Sequence, residues 1–198
     1  VEVAFVVTAQ VAPTVPKAQV MWDVVQATAD DTLSSSANVK TVSRAQLVYP
    51  LSYDLGSLDV NREAYNMNSL TLLAQLLEAP YRYGTDGSLI PAGATGYAAS
   101  SDGLVYTVTL RADARWSDGV PVTAQHYVDS IIRALDPAAP ADYASLLYII
   151  QGAQDFNTGV TTDPANVGVA ALEAHTLRFT LHSPAAFFPS ILAGSYMY

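Results

Sequence analysis

Residues 111–137 read RADARWSDGVPVTAQHYVDSIIRALDP, and the reading of this stretch decides the fold. Asp118-Gly119 is a turn signal, because Gly tolerates positive φ and Asp bonds its own backbone two residues on. Thr123 is a good N-cap for a helix opening at Ala124. Behind it Tyr127, Val128, Ile131, Ile132 and Leu135 recur at helical spacing as one apolar stripe, and Asp136-Pro137 ends the pattern. Immediately upstream, LVYTVTLR (104–111) alternates Leu104, Tyr106, Val108 and Leu110 with Val105, Thr107, Thr109 and Arg111, which predicts a strand with one apolar face. The unit is therefore strand, turn and helix.

The same reasoning extends in both directions. Downstream, ADYASLLYIIQGA (141–153) reads as a second helical run with Gly152 near its end. HTLRFTLH (175–182) alternates as a strand, and SPAAFFPSILAG (183–194) opens with Ser183 as a cap and Pro184 at the first helical position. Upstream, Leu70, Leu73, Leu76 and Leu77 lie at helical spacing in NSLTLLAQLLEAP (68–80), stopped by Pro80, and GTDGSLIPAGATG (84–96) is turn and loop chemistry. AQLVYPL (45–51) has strand composition and is followed by the turn-prone YDLGSLD. VEVAFVVTAQ could be an edge strand, ahead of a proline-containing stretch and the polar DDTLSSSAN. Strands and helices mix without a regular βαβ rhythm, so the expected class is α+β, with no internal repeat.

Bulk properties exclude several functions. The 198 residues suffice for one ordinary domain, or one small domain plus part of another. Hydrophobic residues make up 51% and charged residues 14%, which argues for a folded chain. A formal charge of −9 with nine scattered basic residues argues against nucleic acid, whose phosphates demand clustered Lys and Arg. No cysteine is present, so disulfides, thiolate metal sites and cysteine nucleophiles are excluded. No run of about 18 apolar residues exists. The N-terminus lacks a signal-peptide pattern, so an export signal is expected outside this sequence.

Catalytic and metal motifs fare poorly. His175 and His182 are an odd number of residues apart on an expected strand and face opposite sides, while His126 lies on a separate helix, so no metal site is expected. Asp102, Asp113 and Asp118 stand in turn contexts, where Asp serves backbone hydrogen bonding rather than acid–base chemistry. Gly-x-Ser-x-Gly, P-loop and dinucleotide-binding patterns are absent. Twelve tyrosines suit either a binding cleft or a core edge with the hydroxyl in water.

Taken together, WSDGVPVTA (116–124), DYASLLYIIQGAQDFNTG (142–159) and VGVAALEAHTLRFTLHSPAAFFPSILA (167–193) closely resemble the solute-binding proteins of peptide-type ABC importers. The order and spacing agree from about Gln46 onward, with YDLGSLDVN resembling the family's first strand and loop and LLEAPYRYGTDGSLIPAGA its following helix and turn. The resemblance implies a periplasmic-binding-protein-like fold of class II type, with a third domain inserted in the first of two lobes that close over ligand. It implies residues 1–45 as a lead-in, 46–79 as the start of the first lobe and 80–198 as the inserted domain, with the second lobe absent from this sequence. Trp116 is then expected to pack as an anchor, Asp118-Gly119 to turn the chain and Thr123 to cap the helix, with no catalytic role for any of them. Glu63, Ala64, Tyr65 and Asn66 align with the family's ligand-backbone contacts, and Tyr143 aligns with a tyrosine that lines the cleft.

What the resemblance implies functionally is capture of a short peptide or similar solute outside the cytoplasm, delivery to an ABC permease, no cofactor and no chemistry on the ligand. An upstream lipid anchor would tether such a protein to the membrane, with 1–45 as the flexible tether. The piece alone is expected not to bind solute tightly. The alternative is a structural or interaction subunit derived from such a protein, packed in a cell-surface assembly. Three departures from the family pattern stand out: Leu58-Asp59-Val60 in place of Leu-Asp-Pro, His126 in place of an Asp, and Thr95-Gly96-Tyr97 in place of Glu-Ser-Trp. The second removes a favourable acid from a helix N-terminus.

Overall fold

The strand expected at 104–111 is present as β6, Val105–Leu110, and its alternation is the organising fact of the structure, a computed structural model. Residues 5–7, 45–47, 58–62, 66–139 and 141–194 are described. The chain divides into two units, Val1–Asp54 and Leu55–Tyr198. In the first, β1 (Phe5–Val7) and β2 (Ala45–Leu47) pair in parallel, Phe5 opposite Ala45. Both segments carried strand composition in the sequence.

The second unit is built on a four-stranded antiparallel sheet. In addition to β6 it contains β5 (Ala94–Ala99), β7 (Val169–Glu173) and β8 (Thr176–Thr180), in the order β5-β6-β8-β7. Tyr106, Val108 and Leu110 of β6 and Leu177 and Phe179 of β8 are buried, while Thr109 and Arg178 on the other face are exposed. A period of two places one apolar face inward, and the register Val108 opposite Leu177 aligns the two strands' apolar residues. A hairpin of β3 (Tyr81–Tyr83) and β4 (Leu89–Pro91) precedes the sheet.

Helix α2 (Ala124–Ala134) packs across β7 and β8 with Ala124, Tyr127, Ile131 and Ala134 buried, and Leu135 follows them inward. The stripe read from the sequence is this face, with Val128 and Ile132 half-buried along its edge. Helix α1 (Met67–Leu76) is capped by Asn66, whose side-chain oxygen accepts the Ser69 N–H at 3.1 Å. The periodicity located α1, but the cap lies two residues before Asn68 and the helix ends four before Pro80. Leu77, at its end, is already extended (φ −121°, ψ 155°).

Three local expectations are corrected. ADYASLLYIIQGA is not a helix: a 3-10 turn covers Ala144–Leu147, Ile150 bridges to Leu181, and Gln151 exchanges backbone bonds with Thr180 and Gly168. Pairing with the sheet wins over apolar periodicity here. Gly152, at φ 70°, then turns the chain into the short α3 (Ala153–Asn157), so it starts a helix rather than ending one. GTDGSLIPAGATG is a turn only at its start, since β4 and the first part of β5 lie within it, formed by partner strands despite poor intrinsic propensity. Ser183 and Pro184 do not open a helix. The chain stays irregular past Ala185, whose carbonyl accepts both the Tyr106 hydroxyl (2.9 Å) and the Phe188 N–H (3.0 Å), and α4 covers only Phe188–Ile191.

The core is closed by an aromatic series. Phe188 lies with its ring centroid 5.0 Å from both Tyr106 and Phe179, and Tyr106 reaches Tyr97 at 5.9 Å. Phe188 and Phe179 are fully buried, each contributing roughly 1.5–3 kcal/mol by removal from water.

Candidate functional site

The residues expected to face ligand fall in two places, and the second unit ties those places together. The first is the segment leading into α1. Asp59 shapes it: its side-chain oxygen accepts the Asn61 N–H at 3.2 Å and its carbonyl accepts the Arg62 N–H at 3.0 Å, giving a 3-10 turn over Val60–Arg62. Four residues on, Asn66 stands at the α1 N-terminus with its side chain engaged in the cap. Glu63, Ala64 and Tyr65 lie outside the described residues. The second place is the 3-10 turn after α2, where half-buried Tyr143 sits at the N-cap and its carbonyl accepts the Leu146 N–H at 2.9 Å.

Two links run from the 58–62 turn to the elements around Tyr143. The Asp142 N–H donates to the Asn61 carbonyl at 3.0 Å, coupling the residue before Tyr143 to a buried residue of the 3-10 turn. Arg133, in the last turn of α2, grips Asp59 with both guanidinium arms, Nη1 to Oδ1 at 3.0 Å and Nη2 to Oδ2 at 2.6 Å, while Arg62 approaches the same carboxylate at 3.8 Å. The Arg133 hydrogen bonds are the main cause holding the Asp59 carboxyl below its ordinary 3.8, and the same bonds raise Arg133. The arrangement is a ledge of backbone and polar groups. Reading the sequence missed Asp59, Asn61, Arg133 and Asp142 as its framework. The available signal was Asp59 itself, noted only as part of a departure from the family pattern, and a basic residue in the last turn of a helix ending in Asp-Pro.

The 111–124 segment plays the expected structural part, with two corrections. Asp118 accepts the Val120 N–H at 2.9 Å, Gly119 has φ 89°, and Trp116 and Val120 bond across the turn at 2.8 Å. Asp102 likewise accepts the Leu104 N–H at 3.0 Å, whereas Asp113 pairs with Arg111 instead. Trp116 is no buried anchor, being 42% exposed. Its Nε1–H donates to His126 Nδ1 at 3.1 Å, with the rings edge-on at 5.7 Å. The Thr123 N–H donates to the same nitrogen at 3.2 Å, so His126 supplies the acceptor that an acid would give in a capping box.

Beside this turn an open cleft of about 170 Å³ is lined chiefly by Leu76, Leu77, Arg111, Trp116, His126 and Tyr127. Burial, reinforced by nearby Glu78, pushes the Tyr127 phenol up to about 12. The cleft shares no lining residue with the Asp59–Tyr143 ledge. Among the described residues no cluster of three or more His, Asp or Glu side chains could hold a metal, and no helix is long and apolar enough to cross a membrane.

The family model for bacterial extracellular solute-binding proteins, family 5 Middle, matches residues 88–197. The periplasmic murein peptide-binding protein MppA of Escherichia coli is 34% identical over 152 residues, covering 76% of this chain and 28% of that protein. The oligopeptide-binding protein AliB of Streptococcus pneumoniae is 35% identical over 167 residues, covering 80% and 24%. Among solved structures, Listeria monocytogenes OppA bound to peptide superposes with a TM-score of 0.67 at 37% identity, covering 71% of this chain and 28% of that one. The chain thus spans about a quarter of the length of these relatives. The periplasmic-binding-protein-like class expected from the sequence is the class of these neighbours. On the family match over 88–197, the chain belongs to family 5 of the bacterial extracellular solute-binding proteins.

Proposed function

We propose that this chain forms part of an extracytoplasmic binding protein that captures short peptides for an ABC importer, with no chemistry on the ligand. The observation that carries the reading is the family match over 88–197, whose relatives include proteins named for binding murein peptides and oligopeptides. In this reading residues 80–198 are the inserted domain and 46–79 the start of the first lobe. Residues 63–66 and Tyr143 contact the peptide, and closure of two lobes takes ligand out of water. The ledge supports it: backbone groups and a tyrosine can hold a peptide main chain whatever its side chains, as a binder of variable peptides requires. An ABC permease is the partner, the site of action is the periplasm or the outer face of the membrane, and an upstream lipid anchor is the tether.

The test is calorimetric titration of unmodified tri- to pentapeptides into the natural full-length protein. Saturable binding without consumption of peptide supports the reading. Absence of binding to every peptide, with co-purification of a partner subunit instead, overturns it in favour of an assembly role. Tyr143→Ala is expected to weaken peptide binding by about 1–3 kcal/mol, the range of a well-packed aromatic contact, and Tyr143→Phe by less.

A further inference from the structure

The proposed ligand contacts lie on two separate segments, and something must fix their spacing. We propose that Asp59 and Arg133 are a positioning pair: they set the 58–62 turn, and through Asn61 and Asp142 they hold that turn and the segment carrying Tyr143 in register for peptide. The inference rests on the peptide-binding reading and adds a role for two residues that touch no ligand themselves.

Four observations carry it. The contact is bidentate, which fixes direction as well as distance, since a planar guanidinium fork matches a carboxylate in one orientation. Asp59 has only 24% of its side chain exposed and also accepts the Asn61 N–H, so one side chain both anchors the turn to α2 and shapes it. Asn61 is 7% exposed and passes the constraint on through its carbonyl to Asp142, the neighbour of Tyr143. Arg133 projects from α2, whose other face is packed on β7 and β8, so the reference point is the rigid core rather than another loop. Small errors in the placement of such groups are costly because the ligand's polar groups then lose their partners.

The experiment is a double-mutant cycle in the full-length protein with Asp59→Asn, Arg133→Gln and the pair together. Its two readouts are calorimetric titration with tri- to pentapeptides and amide hydrogen exchange. Each single variant is expected to weaken peptide binding about tenfold, and the double variant no further, because the two act as one unit. Exchange is expected to quicken more at residues 60–62 and at Asp142 than in β6 and β8, whose protection falls no further than the small loss of global stability. Variants that bind peptide as the unmodified protein does overturn the proposal and leave the peptide reading standing. So does weakening accompanied by equal loss of protection in β6 and β8, which marks general destabilisation. Unmodified protein that binds no peptide overturns the peptide reading, and the positioning role with it.

Discussion

The carboxylate of Asp59 and the guanidinium of Arg133 meet fork to fork, at 3.0 and 2.6 Å, across 74 residues of sequence. The pair joins the segment before α1 to the last turn of α2, so its loss is felt in stability as well as in any binding. Because Arg133 is about half exposed, solvent screening keeps the contribution to about 1 kcal/mol or less. The Asp59 carboxyl is held below 3.8, chiefly by the Arg133 hydrogen bonds. A depressed folded-state value means the stabilisation is complete above the unfolded value and is lost as pH falls through the folded one. Arg133→Gln is therefore expected to lower the unfolding free energy by about 0.5–1 kcal/mol at neutral pH. The gap to the unmodified chain closes as pH drops below 3.8. Urea unfolding as a function of pH measures this, and a gap that stays constant into acid refutes it.

Phe188 has no exposed surface and touches the rings of Tyr106 and Phe179. Phe188→Ala leaves a cavity that two aromatic neighbours cannot collapse to fill, and is expected to cost about 3–5 kcal/mol. Phe187 is next to it in sequence but 60% exposed, so Phe187→Ala is expected to stay within about 0.5 kcal/mol. Denaturant midpoints for the two variants should differ accordingly.

Where one face of an element packs on the core, the sequence was legible. The alternation of β6 and β8 and the stripe of α2 could be read directly, because burial of apolar side chains imposes periods of 2 and 3.6 on the chain. The misreadings share a different cause. In an apolar run of helical appearance, Ile150 instead lies opposite Leu181 and Gln151 bonds to Thr180 and Gly168, partners that local pattern does not reveal. Ala94 to Ala99 has little strand propensity and is a strand because β6 lies beside it. The ledge was legible only in part: Asn66 and Tyr143 came from resemblance to a family. The Asp59–Arg133 and Asn61–Asp142 links join residues far apart in sequence and carry no local signature.

Gly152 and Gly119 both have positive φ, 70° and 89°, yet their substitution should differ in cost. A Cβ on Gly152 would collide with the Asn166 carbonyl oxygen, part of the backbone that crosses toward β7, whereas a Cβ on Gly119 meets nothing within 4 Å. Gly119→Ala is expected to cost about 1–2 kcal/mol, the conformational penalty of the left-handed region alone. Gly152→Ala adds backbone displacement and should cost at least about 1 kcal/mol more. Equal shifts in denaturant midpoint would show that the Gly152 and Asn166 backbones separate freely.

His126 stands at a position where the resemblance leads to the expectation of an acid, and the structure gives its ring two duties. Nδ1 accepts from the Thr123 N–H at 3.2 Å, closing the capping box, and from the Trp116 indole at 3.1 Å, holding the turn against α2. His126→Leu removes the acceptor of both bonds and is expected to destabilise by about 1 kcal/mol, the usual value of a lost cap. It should also shift the Trp116 indole N–H resonance. His126→Asp restores an acceptor near the Thr123 N–H and adds negative charge in the first turn, where the exposed N–H groups of the helix favour it. That variant is expected to match or exceed the unmodified chain by about 0.5 kcal/mol at low salt. The gain should shrink in about 1 M salt, where the screening length falls to about 3 Å. A His126→Asp variant as unstable as His126→Leu would mean that the contact with Trp116, rather than the capping box, is what His126 contributes.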